Sequence, residues 1–469
     1  MTPTAPSGQH SSPAHLSGPH PSPAHLSGAR GTARPATTHP RPTDTPTPPT
    51  PSGARGTAQP APTDPHPTSD PTPPTPPGAR GTAQPATTHP HPHTTPRRIE
   101  GLLLGLAAGD AAGWPAARHR ATRMPEWTRR LTRELDTFAE QNATTTLPVP
   151  IALNQPPEPL RLGPSDDAEW AAFAAEAVLR AADAAALGDL SRARRMRAAI
   201  DLSWNAIASE VAAAADRAPE VESAVLPLRA RISVRAGLGN LANGLRPPAS
   251  GHDNPHYFDD AACVRACVLA VAHAGDPRSA ADLAEFDARY TQDGDGVHGA
   301  RAMAAAVALA LSGADVDACA EAALAELPEA TEIGRNARHA LALADAARAN
   351  GDGAFGLVPL LEHQIVDHVY SYGIAAAETV PVALALAVAA RGRIAEAVPA
   401  AACLSRVADS APALAGALTG ALGGGTAIPA AWRDACRTLS GCTLPRLTGT
   451  DLIGLADLLE ATELALPGG

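Results

Sequence analysis

Three short segments of this chain hold side chains whose type and order could do chemistry. Gly163-Pro164-Ser165-Asp166-Asp167-Ala168-Glu169-Trp170 places a hydroxyl and two adjacent carboxylates at the start of a long apolar-periodic stretch. Asp409-Ser410-Ala411-Pro412 places a carboxylate and a hydroxyl at the start of another, and Gly109-Asp110-Ala111 closes a third. One reading is purely structural. Ser165 and Asp409 stand where helix N-caps stand, and acidic residues behind Ser165 suit the positive end of a helix dipole. The other reading is chemical: hydroxyls and carboxylates from two helix N-termini converge to bind hard divalent cations, an all-oxygen set that suits Mg2+ or Mn2+ rather than Zn2+. A fourth segment, Gly251-His252-Asp253-Asn254-Pro255-His256-Tyr257-Phe258-Asp259-Asp260, has two histidines four apart and three aspartates. Asn254 and Pro255 interrupt any helix there, so the spacing does not put both imidazoles on one face. A polar, aromatic loop of this kind suits the lining of a ligand site, or a plain surface loop.

The elements that must position these groups read as helices. Ala/Leu/Val stretches with polar residues at three- and four-residue intervals predict helices over Ala168–Ala186, Met196–Ala215, Ala300–Leu311, Ala318–Leu327, Ala337–Ala349 and Val380–Ala390. No stretch alternates cleanly enough for a strand. Connections are expected at Thr144–Pro164, Pro247–His256, Gly294–Gly296, Gly351–Gly356 and Gly423–Gly425. Glycine recurs every four residues at Gly101, Gly105, Gly109 and Gly113, and again at Gly416, Gly420 and Gly424. Residues four apart share a helix face, so each series makes a groove that a second backbone can enter. Asp110, at the end of the first series, is expected to bond backbone rather than react.

The first 96 residues differ in kind. They hold 26 of the 48 prolines and 9 of the 17 histidines, with Leu16 and Leu26 as their large apolar side chains. Such a segment cannot bury enough surface to offset the entropy of ordering it. Its repeated Gly-Ala-Arg-Gly-Thr-Ala, at Gly28, Gly53 and Gly78, has no apolar face to stack and predicts an extended linker rather than a solenoid. The expected architecture is therefore a disordered Pro/Thr/Gly/His-rich tail over 1–96, then one all-α domain over 97–469. A net charge of −11, with the tail itself slightly basic, argues against a nucleic-acid-binding surface. The six cysteines have no Cys-x-x-Cys spacing, no charged and apolar leader opens the sequence, and no apolar run approaches a membrane span. A soluble cytoplasmic protein with reduced thiols, free of membrane and nucleic-acid partners and monomeric, is expected.

Taken in order, the blocks resemble the ADP-ribosylglycohydrolase family. The resemblance rests on Gly101-Leu-Leu-Leu-Gly105-Leu-Ala-Ala-Gly109-Asp110-Ala111, Ser165-Asp166-Asp167, Tyr372-Gly373-Ile374-Ala-Ala-Ala-Glu378-Thr-Val-Pro381, and Asp409-Ser410 leading through Gly416–Trp432. It covers about Arg97–Trp432. It implies an orthogonal all-α bundle with two Mg2+ or Mn2+ ions in a central cleft. Ser165, Asp166, Asp167, Asp409 and Ser410 would ligate the ions, and Asp166 or Asp167 would act as the catalytic base. Gly373 and Ile374 would line the cleft wall, and His256, Tyr257, Phe258, Asp259 and Asp260 its lip. The substrate class would be an ADP-ribosylated protein or an ADP-ribose-like small molecule.

The sequence also departs from the family pattern. The final Thr of the family's Thr-Asp-Asp-Thr motif is Ala168, and the first Asp of its C-terminal Asp-Thr-Asp-Thr motif is Val407, which cannot ligate, so one of the two ions is expected to bind weakly or not at all. A glutamate of some members falls on Ala117, and a Thr-His pair reads Thr291-Gln292. The family loop that contacts ribose and phosphates, roughly Asn-Gly-Ala-Ala-Met-Arg, reads Asp260-Ala261-Ala262-Cys263-Val264-Arg265. An aspartate there repels a pyrophosphate unless a cation or proton intervenes. Two functions follow: metal-dependent hydrolysis of an ADP-ribosyl linkage, or a degenerate member that binds ADP-ribose or a protein partner without turnover.

Overall fold

The computed structural model describes residues 97–122, 163–183, 190–217, 230–367 and 373–462. The tail over 1–96 and Tyr372 lie outside the described residues, as does the side chain of Ala117. The helices are α1 (Arg98–Thr122), α2 (Asp166–Ala182), α3 (Arg192–Arg217), α4 (Ile232–Ala242), α5 (Ala249–His252), α6 (Ala261–Leu269), α7 (Pro277–Ala288) and α8 (Gly294–Ser312). They continue as α9 (Val316–Ala325), α10 (Glu332–Asn350), α11 (Gly353–Gln364), α12 (Ala376–Ala389), α13 (Ile394–Cys403), α14 (Ala411–Gly423), α15 (Ala430–Cys436) and α16 (Leu452–Glu460). Among the described residues extended pairing amounts to two isolated bridges, Asp259 with Ala375 and Thr438 with Asp451. The fold is the expected all-α bundle, and no described helix is long and apolar enough to cross a membrane.

Each helix predicted from periodicity is present, usually starting a few residues earlier than the apolar pattern suggests. The reason is the polar first turn. Asp315 and Thr331 cap α9 and α10 by accepting from the amides of Ala318 (2.8 Å) and Gly334 (3.2 Å). Several expected connections are partly or wholly helical: α5 lies within Pro247–His256, Gly294–Gly296 opens α8, and Gly353–Gly356 opens α11. In α8 Gly296 is buried so tightly that a Cβ there would lie 2.5 Å from the Tyr257 carbonyl oxygen, so packing overrides the poor helix propensity of glycine.

The core is built largely from alanine, leucine and valine. Every residue of α6 and of α12 is buried, as are Ala411–Ala421 of α14. The glycine stripes explain how α14 is held. A methyl group on Gly105 would sit 2.2 Å from the Gly416 carbonyl oxygen, and one on Gly109 would sit 2.0 Å from that of Pro412. The two stripes therefore face each other, backbone on backbone. Glycine costs roughly 1 kcal/mol per helical position relative to alanine, and the close contact along the whole seam offsets it. The functional consequence is positional: the seam fixes the N-terminus of α14 beside Asp110, on α1.

Candidate functional site

Ser165 and Ser410 occupy the N-cap positions of α2 and α14, yet neither side chain caps its helix. At α2 the capping acceptor comes from elsewhere. Asp110 Oδ2 accepts from the amides of Ser165 (2.7 Å) and Ala168 (3.0 Å), the structural role the sequence suggested for it. Trp114 Nε1, further along α1, donates to the Gly163 carbonyl (3.0 Å) and ties down the approach to α2. The serine hydroxyls are thereby free for the site. Ser165 Oγ donates to Asp166 Oδ1 (3.1 Å), and Ser410 Oγ accepts from Arg231.

Arg231 is the residue that sequence reasoning missed, and it organises the site. It immediately precedes α4 and is 7% exposed. Its Nη1 donates to Asp409 Oδ2, its Nη2 to Ser410 Oγ and to Asp167 Oδ1 (3.4 Å), and its Nε lies 3.3 Å from Asp260 Oδ1. Carboxylates from the starts of α2 and α14, and from the residue before α6, thus surround one guanidinium. Asp166 is close enough for the Asp409 charge to act on it. The two motifs some 240 residues apart in the chain do meet. Asp166 is half-buried and the Asp409 side chain 31% exposed, so the cluster reaches solvent at these two residues, whereas Asp167 and Asp260 lie beneath.

Burial sets the electrostatics. It pushes Asp110 and Asp167 well above the usual carboxylate range, with neighbouring aspartates adding to the effect and, at Asp167, Arg231 opposing it. Asp166 is raised by the same cause, against the pull of Arg231. Asp260 is pushed up to about 7 by burial, held from going higher mainly by Arg231 and also by the nearby Thr379 hydroxyl. Arg231 itself is driven further above its ordinary value, because the Asp409, Asp260 and Asp167 charges together outweigh its own desolvation.

The segments around Asp260 are placed differently from expectation. The Asp260 amide donates to the Ile374 carbonyl (2.9 Å) and the Ala376 amide to the Phe258 carbonyl (3.1 Å), which sets Ile374 and Gly373 (φ +79°) beside Phe258–Asp260. Of the five residues expected at a lip, Tyr257 is 43% exposed and Phe258 half-buried. His256 is buried with its ring stacked on Phe258 at 5.5 Å, and burial keeps it below the ordinary histidine value and neutral. Asp259 is buried and accepts from Gln292 Nε2 (2.9 Å) and the Ala261 amide (3.1 Å). The lip narrows to Tyr257 and Phe258, because His256, Asp259 and Asp260 are buried beneath them.

The segment after Asp260 is no phosphate-contacting loop either. It is the buried helix α6, and Arg265 donates to Asp287 Oδ2 (2.7 Å), Thr291 Oγ1 (3.0 Å) and the Ala261 carbonyl (3.2 Å). Gln292, where the family pattern has histidine, bridges Ser233 Oγ (2.8 Å) and Asp259. A hollow of ≈ 590 Å³ lies elsewhere, lined by Asp317, Asp345, Arg348 and Arg391 among others, and none of the residues singled out in the sequence lines it.

The all-α bundle thus delivers acidic residues from two helix N-termini to one point. The chain belongs to the ADP-ribosylglycohydrolase family, whose model matches residues 91–466. Among solved structures it is similar to one described as an ADP-ribosylglycohydrolase-related protein complex, at 20% identity over 79% of this chain and 96% of that one, with a TM-score of 0.42. No curated protein matches it.

The family implies divalent cations, and the residues can be tested for their fit. Oxygen donors of the right kind are present at Ser165, Asp166, Asp167, Asp409 and Ser410. Their disposition is wrong for an ion. The Arg231 guanidinium stands among them, Val407 is fully buried and apolar, and no three His, Cys, Asp or Glu side chains among the described residues are arranged to hold a metal. As arranged, the set does not fit a divalent cation.

Proposed function

We propose that the chain hydrolyses the glycosidic bond, N- or O-linked, between ADP-ribose and a modified protein or small molecule. Family membership supports a glycohydrolase-type function, and the observation that carries the reading is the meeting of Asp166 and Asp167 with Asp409 and Ser410 around Arg231. Breaking a bond at the anomeric carbon builds positive charge there. Several carboxylates with one resident guanidinium leave the cluster net acidic when ionised, the sign that stabilises such a transition state.

Asp166 is the residue for the base. Of the two motif carboxylates on α2 it is the one nearer solvent, and burial raises its proton affinity above that of an ordinary carboxylate, which suits a group that must take a proton near neutral pH. Asp167, buried and engaged with Arg231, positions rather than reacts. Water attacks the anomeric carbon and gives its proton to Asp166. The electron pair of the broken bond stays with the acceptor, which takes a proton from solvent. Mg2+ or Mn2+ would hold the ribose diol in the family's arrangement, and the misfit around Arg231 leaves that task to the protein's own donors.

A second reading, binding of ADP-ribose or a protein partner without turnover, is favoured by Val407 standing where the family has an aspartate. Release of ADP-ribose from a modified acceptor, measured for the natural chain and for Asp166→Asn, separates the two. Hydrolysis predicts turnover that falls by about 10²–10⁴-fold in the variant. Calorimetric binding of ADP-ribose with no release selects the second reading, and neither binding nor release overturns both.

A further inference from the structure

We infer that Arg231 is the resident cation of this acidic cluster, a tethered guanidinium in the position a divalent ion would need, so that the site is assembled without metal. Nη1 donates to Asp409 and Nη2 to Ser410 and Asp167, while Nε, which makes no hydrogen bond, stands 3.3 Å from Asp260 Oδ1 as an ion pair. These partners come from three separate stretches of chain, which is the cross-linking that a bridging ion performs where one is present. Arginine suits the task because its planar fork keeps its charge under all conditions and serves several carboxylates at once.

Two further observations point the same way. Asp167 Oδ2 and both Asp260 oxygens are buried and accept no hydrogen bond of good geometry, so Arg231 is the charge that offsets their burial. Val407 is buried among apolar neighbours, which removes the ligand that would draw an ion away from Arg231. The Asp260 that replaces the family's asparagine also finds its reason here. It supplies a third carboxylate to the guanidinium, and the cation that this position requires is already in the chain.

The inference stands on the cluster alone and not on the substrate, so it is tested with no ligand present. The full chain, stripped with EDTA, is titrated with Mn2+, and bound ions are counted by electron paramagnetic resonance while the thermal midpoint is followed. The natural chain is expected to bind no Mn2+ at the cluster and to keep its midpoint whether EDTA or millimolar Mn2+ is added. Arg231→Met, which keeps the stem and removes the charge, is expected to bind one Mn2+ and to gain midpoint with it. An ion bound by the natural chain and lost in Asp409→Asn overturns the inference. An ion that survives Asp409→Asn but is lost in Asp166→Asn likewise overturns it, whereas one that survives both variants lies outside the cluster and leaves it ion-free, as expected. A folded Arg231→Met that binds nothing also overturns it, and should that variant not fold, the titration of the natural chain decides. Failure here leaves the ADP-ribose readouts untouched, and their failure leaves this one standing.

Discussion

Asp260 shows how much one carboxylate can report about its surroundings. Burial pushes it up to about 7, whereas an aspartate in an unfolded chain loses its proton near 3.9. Between those values the folded protein binds a proton that the unfolded chain has released, so stability falls as pH rises through the window and is fully present only below it. Asp260→Asn should remove up to one proton from that slope. In urea unfolding at several pH values from 4.5 to 7.5, the variant is expected to be weaker than the natural chain at the acid end, where it lacks nothing but an acid group's fit, and to gain on it steadily as pH rises. A difference that does not change with pH would show that Asp260 is ionised throughout. At this scale the sequence was legible where chemistry is spelled by type. Ser165, Asp166, Asp167, Asp409 and Ser410 announce themselves as paired hydroxyls and acids. Arg231 does not, because Arg229, Arg231 and Arg235 stand close together and nothing local says which of them turns inward. That choice is made by charges on α2, α6 and α14, invisible in one sequence.

Four helices cap themselves, with Asp276, Asp315, Thr331 and Asp451 each accepting from an amide of their own first turn. The two helices that carry the candidate site do not: α2 is capped from α1 by Asp110, and Ser410 at the start of α14 meets Arg231 instead. A hydroxyl committed to a cap cannot also serve a ligand, and neither Ser165 nor Ser410 is so committed. The glycine seam holds α14 against α1 and so sets where Asp409 and Ser410 stand. Gly109→Ala puts a methyl group 2.0 Å from the Pro412 carbonyl oxygen and 2.6 Å from Ala413 Cα, so α14 must shift and draw Asp409 and Ser410 from Arg231. The expected result is a loss of about 1–3 kcal/mol despite better helix propensity. Gly239→Ala is the matched control. Gly239 lies in α4 with nothing within 4 Å of the added methyl, and the change is expected to stabilise by about 0.5–1 kcal/mol. Urea midpoints for the pair check both signs. The four-residue recurrence let the sequence predict a close backbone approach. Which helix would fill the groove, and that two stripes would meet each other, depended on packing that spacing alone does not fix.

Seen across the whole molecule, the all-α character was legible because alanine and leucine recur at helical intervals over most of the chain. The internal anchor was not. Aromatic residues are only 3% of the sequence, and five of them gather at one corner of the bundle. Trp204 of α3, fully buried, stacks on Trp170 of α2 at 5.9 Å and on Tyr290 at 5.7 Å, while Phe173 and Phe286 meet the stack edge-on. Its Nε1 donates to Asp287 (2.8 Å), and Arg265 lies over its ring at 4.8 Å, already paired with that same aspartate. Alanine-rich helices offer small side chains that cannot collapse far into a void, so the loss of this ring is expected to leave a cavity lined by a buried ion pair. Trp170 stands one turn beyond Asp167, so the stack also braces the helix start that carries the acidic motif. Trp204→Ala should cost about 3–5 kcal/mol, near the upper end for a single substitution. Trp204→Phe keeps most of the ring and loses the donor to Asp287, so it should cost less than half as much. Equilibrium unfolding in urea measures both, and equal losses in the two variants would mean that the indole hydrogen bond, rather than the filled volume, secures this corner.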